Sequence, residues 1–387
     1  MGAPTPVAPA ITLLFAGGGT GGHLFPALAI AHELRALDPG ARCVFVCSRR
    51  PIDARILSAA AEPFTPIPAQ PFGLRPRVLA RFVWNWGASV RASRTILRQE
   101  RARAPAAVVS MGGFAAAPVV QAARAEGLPV ALINLDAVPG KANRWIARHA
   151  RLLLSAADAP SVPASWARLR PIVRASASPN ADASECRRRL GLDPGRPTLL
   201  ITGGSQGATT INRAVIEVFR RDPGPFTGWQ ALHQCGDADR DDLSRAYEAA
   251  RIPARVVPFI ERMGDAWGAA DLAIGRAGAG TVGEVWASSV PCVFLPYPFH
   301  TDGHQARNAR PLVDAGGAIL CRDSVDPART ADDLAPALAP LLTDPNRRAR
   351  MRASLRALGP ADGAADAARR LLGLTRGDET HPHRARC

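Results

Sequence analysis

Ile11-Thr12-Leu13-Leu14-Phe15-Ala16 runs directly into Gly17-Gly18-Gly19-Thr20-Gly21-Gly22-His23, and a helical pattern follows from about Pro26 to Leu37. A short apolar run that ends in a glycine turn and opens a helix reads as a buried parallel strand entering a strand–helix unit. The arrangement recurs further along. Ala106–Ser110 precedes Gly112-Gly113, Thr198–Thr202 precedes Gly203-Gly204-Ser205-Gln206-Gly207, and Asp271–Gly275 precedes Arg276-Ala277-Gly278-Ala279-Gly280-Thr281. Strands are also expected at Cys43–Cys47, Pro129–Leu135, Arg255–Phe259 and Pro291–Pro296, with helices at Ala208–Arg220 and Thr281–Ser289. Alternation of this kind predicts parallel sheets covered on both faces.

The alternation is interrupted once. Residues 155–197 are crowded with Ser, Ala, Pro and Arg, which predicts a linker and a domain boundary near 175. The expected organisation is α/β: two doubly wound, Rossmann-like domains at 1–175 and 176–350. Residues 351–387 should form a C-terminal helix, then a disordered tail after Leu374. At 387 residues, each domain is large enough for its own core. Ligands of such sheets bind beyond the carboxyl ends of the strands, so the site is expected in a cleft between the domains.

Composition narrows the classes. Apolar residues make up 47% and charged residues 21%, which excludes a disordered or collagen-like chain. Forty-eight Lys+Arg against 33 Asp+Glu give a net charge of +15, and Lys141 is the lone lysine. This balance favours anionic partners, although a preference for arginine codons produces it too. The seven cysteines include no CxxC pair, so neither a disulfide framework nor a structural zinc site is indicated and a reducing compartment fits. The N-terminal stretch lacks a charged n-region and reads as the approach to a first strand, not a signal peptide. The nearest approach to a membrane span, residues 106–123, is broken by Met111-Gly112-Gly113 and Pro118.

Glycine turns ahead of helices let backbone N–H groups approach a phosphate, and the helix adds its positive end. Two of them in one domain, at 203–207 and 276–281, are stronger evidence than one, and the second carries a cation, Arg276. The first turn also fits GxGxxG through Gly17, Gly19 and Gly22, a dinucleotide pattern. The acid expected near the end of the following strand is replaced by Ser48-Arg49-Arg50, which leaves an NADP reading open. His23, next to that turn, suits a reacting centre. Glu284, one helical turn past Gly280, can accept two ribose hydroxyls or merely favour a helix N-terminus. Gln305 and Asn308 can bind sugar hydroxyls or cap a helix. His300 and His304 have no third partner of metal-ligand spacing, and Asp237-Ala238-Asp239 reads as solvated loop, so no metal is expected.

Residues 71–103 interleave Arg75, Arg77, Arg81, Arg91, Arg94, Arg98, Arg101 and Arg103 with Phe72, Leu79, Phe82, Val83, Trp84 and Trp86, against the single acid Glu100. A basic helix bearing Trp and Phe suits an anionic bilayer surface. The alternative is a core helix with a solvated arginine face. No motif supports nucleic acid as a partner.

Taken together, these segments resemble the MurG family, peptidoglycan glycosyltransferases that add N-acetylglucosamine to lipid I. The resemblance rests on Gly17–His23 with Phe25-Pro26-Ala27-Leu28-Ala29, Met111-Gly112-Gly113-Phe114 with Pro118, and Gly203–Ala208 with Asn212. It continues through Pro258-Phe259-Ile260 with Met263, Arg276–Glu284, and His304-Gln305 with Asn308-Ala309, in family order over residues 11–320. It implies a GT-B fold with the donor, UDP-GlcNAc, in the second domain, the lipid-linked acceptor, lipid I, at the first, and a C-terminal helix, about 355–373, that crosses back onto the first domain. It also implies a peripheral enzyme at the cytoplasmic face of the bacterial inner membrane. No cofactor is called for.

By the family pattern, Ser205 and Gln206 approach the donor diphosphate and Ile260 meets uracil through its backbone. Arg276, Ala279, Gly280, Thr281, Val282 and Gly283 line the donor, Glu284 holds the ribose, and Gln305 reads the sugar. Thr20, Gly21, Gly22 and His23 face the reacting centre and the acceptor diphosphate. Two segments depart from the pattern. Ile133-Asn134-Leu135-Asp136 stands where the family has His-Glu-Gln-Asn, so Asp136 replaces a sugar-contacting asparagine. The Gly-Asn-Pro-Val-Arg segment is absent, and Arg174-Ala175-Ser176-Ala177-Ser178-Pro179 occupies its place. The implied reaction is one inverting displacement, with His23 or Asp136 as base. The competing readings are a GT-B enzyme with another lipid acceptor, a sugar-nucleotide epimerase, and a non-catalytic nucleotide-sugar binder.

Overall fold

The computed structural model describes residues 11–73, 75–204, 207–299 and 302–376. The chain forms two compact units, one drawn from 1–135, 139–172 and 362–387 and the other from 136–138 and 173–361.

In the first unit the elements run β1 (Ile11–Ala16), α1 (Gly21–Leu37), β2 (Ala41–Ser48), α2 (Pro51–Ala59), β3 (Phe64–Ile67), α3 (Pro76–Arg101), β4 (Ala106–Ser110), α4 (Ala116–Ala125), β5 (Val130–Asn134), α5 (Lys141–Ala147), β6 (Leu152–Ser155) and β7 (Ala167–Arg168). All pair in parallel in the order β3-β2-β1-β4-β5-β6-β7. Every residue of β1, β4 and β5 is buried, which is why these strands read as nearly continuous apolar runs, broken only by Thr12, Ser110 and Asn134.

The second unit begins with α6 (Ala183–Arg189), β8 (Thr198–Thr202), α7 (Thr209–Arg221), β9 (Gln230–Gln234), α8 (Arg240–Ala249), β10 (Ala254–Val257) and α9 (Met263–Ala269). It continues with β11 (Leu272–Gly275), α10 (Ala279–Ser288), β12 (Cys292–Phe294), α11 (His304–Asp314), β13 (Ala318–Leu320), α12 (Pro327–Thr343) and α13 (Pro345–Ala357). Its sheet is parallel in the order β10-β9-β8-β11-β12-β13. Side chains of β8 alternate between two cores: Leu199 and Ile201 join Ile211, Leu243 and Leu338, while Leu200 joins Trp267, Val285 and Leu312.

Both sheets reverse strand order beside their first strand, between β1 and β4 and between β8 and β11. This is the switch point where doubly wound sheets bind ligands. All four glycine turns sit at these two places.

Three boundaries differ from the sequence reading. Helix α1 begins at Gly21, five residues before Pro26, so His23 lies in its first turn and not ahead of it. The expected linker is structured, holding β7, a 3-10 turn at Ala175–Ala177 and α6. The expected single C-terminal helix is two. Helix α13 stays in the second unit, and α14 (Gly363–Arg376) packs along α1 in the first. The return is made by an antiparallel bridge between Ile172 and Asp362, and any Cβ at Gly363 would fall 1.9 Å from Arg170 O. The tail from 377 onward lies outside the described residues. Among the described residues, no helix is long and apolar enough to cross a membrane.

Candidate active site

The turn after β11 ends in a helix whose first intrahelical bond runs from Val282 N–H to Gly278 O, at 3.0 Å. The amides of Ala279, Gly280 and Thr281 are therefore those that helix geometry leaves over. Space above them is open, since a Cβ at Gly278 or Gly280 would meet nothing within 4 Å. An anion placed there gains three N–H groups and the positive helix end. Val282 and Gly283 are buried, and the Val282 side chain packs into the core, so both shape the helix from below.

The turn after β8 is its neighbour across the switch point. Gly203 admits no side chain, because a Cβ would lie 2.2 Å from Ala208 N. Gly204 and Gly207 take φ of 81° and 73°, a left-handed conformation suited to glycine. Gln234 braces the loop by donating to Gly204 O at 2.8 Å while accepting from Thr202 Oγ1 at 2.9 Å. Ser205 and Gln206, expected at the diphosphate, lie outside the described residues.

Beneath this turn is a buried polar network. Asn212 Nδ2 donates to Cys235 O at 2.9 Å and Asp239 Oδ2 at 2.8 Å, and Asn212 Oδ1 lies 3.0 Å from His233 Nε2. The amide thus requires Nε2 to donate, and Nδ1 accepts from Tyr247 Oη at 2.9 Å. Burial pushes the pKa of His233 down to about 3, so the ring is neutral.

Glu284 projects from the second turn of α10. Its Oε2 accepts from Trp267 Nε1 at 3.0 Å, and Arg174 bears on it electrostatically. Burial outweighs both and raises its pKa. Arg174 thus reaches the ribose candidate from the segment that departs from the family pattern. Ile260 buries its side chain in the core, so its backbone is what it presents. Gln305 Oε1 accepts from Tyr297 N–H at 2.8 Å, which turns its amide NH₂ into the available donor.

Arg276, the cation of the turn after β11, is held by the protein itself. It is buried, and its guanidinium donates to Asp323 Oδ2 at 2.6 Å, Leu295 O at 2.9 Å and Thr210 Oγ1 at 2.5 Å. Asp136 belongs to the second unit, where it accepts from Asn308 Nδ2 at 2.9 Å. Asn308 Oδ1 also accepts from Ala137 N–H at 2.7 Å, so Asn308 is a brace for this segment.

In the first unit, Thr20 and Gly22 are exposed at the N-terminus of α1 and Gly21 is buried. The His23 ring lies over the backbone of Gly113, where an added Cβ would come within 3.0 Å of Cε1. Gly112 and Gly113 take φ of 85° and 78°. The glycine turn itself is filled from within. Asp53, fully buried, accepts from Gly19 N–H at 2.8 Å, Ser48 N–H at 3.1 Å and Ser48 Oγ at 2.6 Å. A carboxylate in that place opposes a dinucleotide pyrophosphate, which removes the NADP reading. Asp53 lies five residues beyond Ser48, past the place where the sequence reading looked for an acid.

The DxD is structural: Asp239 is buried on Asn212. His304 Nδ1 pairs with Asp302 Oδ1 at 2.7 Å, and His300 lies outside the described residues. Among the described residues, no group of three or more His, Cys, Asp or Glu is placed to hold a metal ion.

Two family models match, the glycosyltransferase family 28 N-terminal domain over residues 13–154 and the family 28 C-terminal domain over 198–370. A Nocardioides protein named UDP-N-acetylglucosamine–N-acetylmuramyl-(pentapeptide) pyrophosphoryl-undecaprenol N-acetylglucosamine transferase is 39% identical over 368 residues, covering 94% of this chain and 98% of its own. A Desulforudis audaxviator protein of the same name is 35% identical, covering 90% and 94%. The crystal structure of Acinetobacter baumannii MurG superposes with a TM-score of 0.69 at 27% identity, over 94% of this chain and 99% of that one. A UDP-N-acetylglucosamine 2-epimerase, at 14% identity and a TM-score of 0.63 over 96% and 98% of the two chains, shares the fold.

Two parallel sheets with glycine turns at their switch points, superposing on MurG, define a GT-B fold, and the family models make the chain a glycosyltransferase. The chain belongs to glycosyltransferase family 28, in its MurG branch.

Proposed function

We infer that this hexosyltransferase moves N-acetylglucosamine from UDP-GlcNAc to lipid I, forming lipid II in peptidoglycan synthesis. The observation that carries the residue assignment is the pair of turns at the β8/β11 switch point with Glu284 behind them. The α10 amides and the 203–208 turn hold the diphosphate, Glu284 takes the ribose hydroxyls, the Ile260 backbone meets uracil, and Gln305 donates to the sugar. The acceptor hydroxyl attacks the anomeric carbon, the bond to the UDP oxygen breaks, and configuration inverts. Negative charge developing on UDP is met by preorganised helix N-termini. His23 takes the hydroxyl proton. Asp136, held by the hydrogen bond from Asn308 Nδ2, accepts a sugar hydroxyl.

The enzyme is peripheral, and the first unit supplies a surface for an anionic bilayer. Trp84, Val83 and Phe72 are 85%, 63% and 53% exposed on and just before the arginine-rich helix α3. Apolar side chains enter the interface while arginines meet lipid phosphates. Such a surface supports a reading in which the enzyme works at the cytoplasmic face of the inner membrane.

The test is transfer of radiolabel from UDP-GlcNAc to lipid I by the full chain. Label in a lipid product that His23→Ala fails to form supports the reading. Donor binding without transfer would leave a nucleotide-sugar binder. Transfer to another lipid and not to lipid I would change the acceptor.

A further inference from the structure

Asp323 follows the edge strand β13, three strands away from the 203–208 turn, yet its carboxylate reaches that turn's helix. Its side chain is fully buried. Oδ1 accepts from Val325 N–H at 2.8 Å, which fixes the carboxylate on its own turn. Oδ2 accepts from Thr210 Oγ1 at 2.5 Å and from Arg276 Nη1 at 2.6 Å. The triangle closes through Arg276 Nη2, which donates to Thr210 Oγ1 at 2.5 Å. Arg276 Nη1 also donates to Leu295 O at 2.9 Å and Pro296 O at 3.2 Å. Thr210 lies in the first turn of α7, Arg276 in the turn after β11, and Leu295 and Pro296 at the end of β12. One hydrogen-bonded triangle therefore ties the carboxyl ends of β8, β11, β12 and β13 together.

Only the first two of those ends carry the glycine turns assigned to the donor diphosphate. A diphosphate spanning two helix N-termini is held well only if their separation is fixed before it arrives, since an ångström of misplacement forfeits much of the interaction. Gln234 and the β8/β11 pairing hold the first turn to its sheet, and the triangle adds a side-chain link from the start of its helix to the turn after β11. A cation left free beside an anion site would also bind the donor itself; here its charge is answered by Asp323.

We propose that Asp323 and Thr210 are positioning residues for donor binding, which use Arg276 as a strut to set the distance between the start of α7, with Gly207 and Ala208 before it, and the N-terminus of α10. This rests on the donor reading of those turns. Neither side chain touches the donor. Thr210 contributes a hydroxyl that accepts from Arg276 and donates to Asp323, a pair of roles that serine can fill and valine cannot.

The experiment measures KM for UDP-GlcNAc and kcat with lipid I for Thr210→Val, Thr210→Ser, Asp323→Asn and the Thr210→Val/Asp323→Asn double variant, with UDP titration of each and of Glu284→Gln. Thr210→Val and Asp323→Asn are expected to raise KM three- to tenfold while kcat changes less than twofold. Thr210→Ser should stay within twofold of the wild type on both. The double variant should be no worse than the worse single one, because both break the same triangle. Thermal midpoints are followed in parallel. If Asp323→Asn does not fold, the two Thr210 variants decide the matter. Lower midpoints with KM unmoved would make the triangle merely structural and overturn the proposal, as would Thr210→Ser behaving like Thr210→Val. If Glu284→Gln weakens UDP while the triangle variants leave KM alone, this proposal fails and the donor site stands. If Glu284→Gln leaves UDP binding unchanged, the donor reading falls and the proposal with it.

Discussion

Replacing Glu284 with Gln separates the ribose assignment from every structural role of that side chain. The amide keeps the shape and keeps an acceptor for Trp267 Nε1, now 3.0 Å from Oε2. What it loses is the charge and half the acceptor capacity. Hydrogen bonds to an ionised group contribute about 1.5–3 kcal/mol, and one of the two ribose bonds survives as a neutral one. A loss of about 2–3 kcal/mol follows, roughly 30- to 150-fold in affinity for UDP. Calorimetry with UDP and 2′-deoxyuridine diphosphate gives a cycle. The wild type should bind the deoxy compound about tenfold less tightly, about 1.4 kcal/mol, and the variant should distinguish the two by under threefold. Stability should move the opposite way. Burial raises the pKa of Glu284, so the folded state holds that proton more tightly than the unfolded state does. Ionising the group thus lowers stability as pH rises through the folded pKa, and a neutral glutamine avoids this at pH 7. Weaker UDP binding with an unchanged or higher thermal midpoint is the expected signature. Equal affinities of wild type and variant for both nucleotides would refute the ribose role.

Three further outcomes follow from the geometry. Asp53→Ala leaves Gly19 N–H and Ser48 without their buried acceptor and should lower stability by about 2–4 kcal/mol, read as a drop in the thermal midpoint; an unchanged midpoint contradicts the bracing role. His233 ionises near 6.5 when unfolded and about 3 when folded, so its contribution is full above pH 6.5 and is lost as pH falls. Between pH 8 and pH 5 the wild type should lose about 2 kcal/mol more unfolding free energy than His233→Gln, and parallel pH profiles would count against a neutral buried ring. Trp84→Ala should weaken binding to anionic vesicles by about 2 kcal/mol, some thirtyfold, while transfer to detergent-solubilised lipid I is kept; equal vesicle binding would remove α3 from the membrane surface.

The parts that the sequence discloses are those whose cause is local. A strand buried on both faces is mostly apolar, so β1, β4, β8 and β11 announce themselves, and the turns after them need glycine for close packing at Gly203 and for left-handed backbone at Gly112 and Gly113. Helix α3 is visible because its arginines and aromatics keep helical spacing. The rest depends on residues brought together from far apart. Arg276 looks like a phosphate ligand until Asp323, 47 residues on, is seen against it. Asp53 is separated from Gly19 by 34 residues, and His233 from Asn212 by 21. Pro26 misleads for another reason: proline commonly opens a helix, but here it sits inside α1, which hides the helical place of His23. The Ile172–Asp362 bridge joins two short segments without any periodicity to announce it.

The account stands or falls on where the uridine diphosphate sits. A crystal structure of the chain with UDP is expected to show its phosphate oxygens on the amides of Ala279, Gly280 and Thr281 and on the 203–208 turn, with both ribose hydroxyls on Glu284. UDP bound instead at the Gly17–Gly22 turn, or away from the α10 N-terminus, would contradict it.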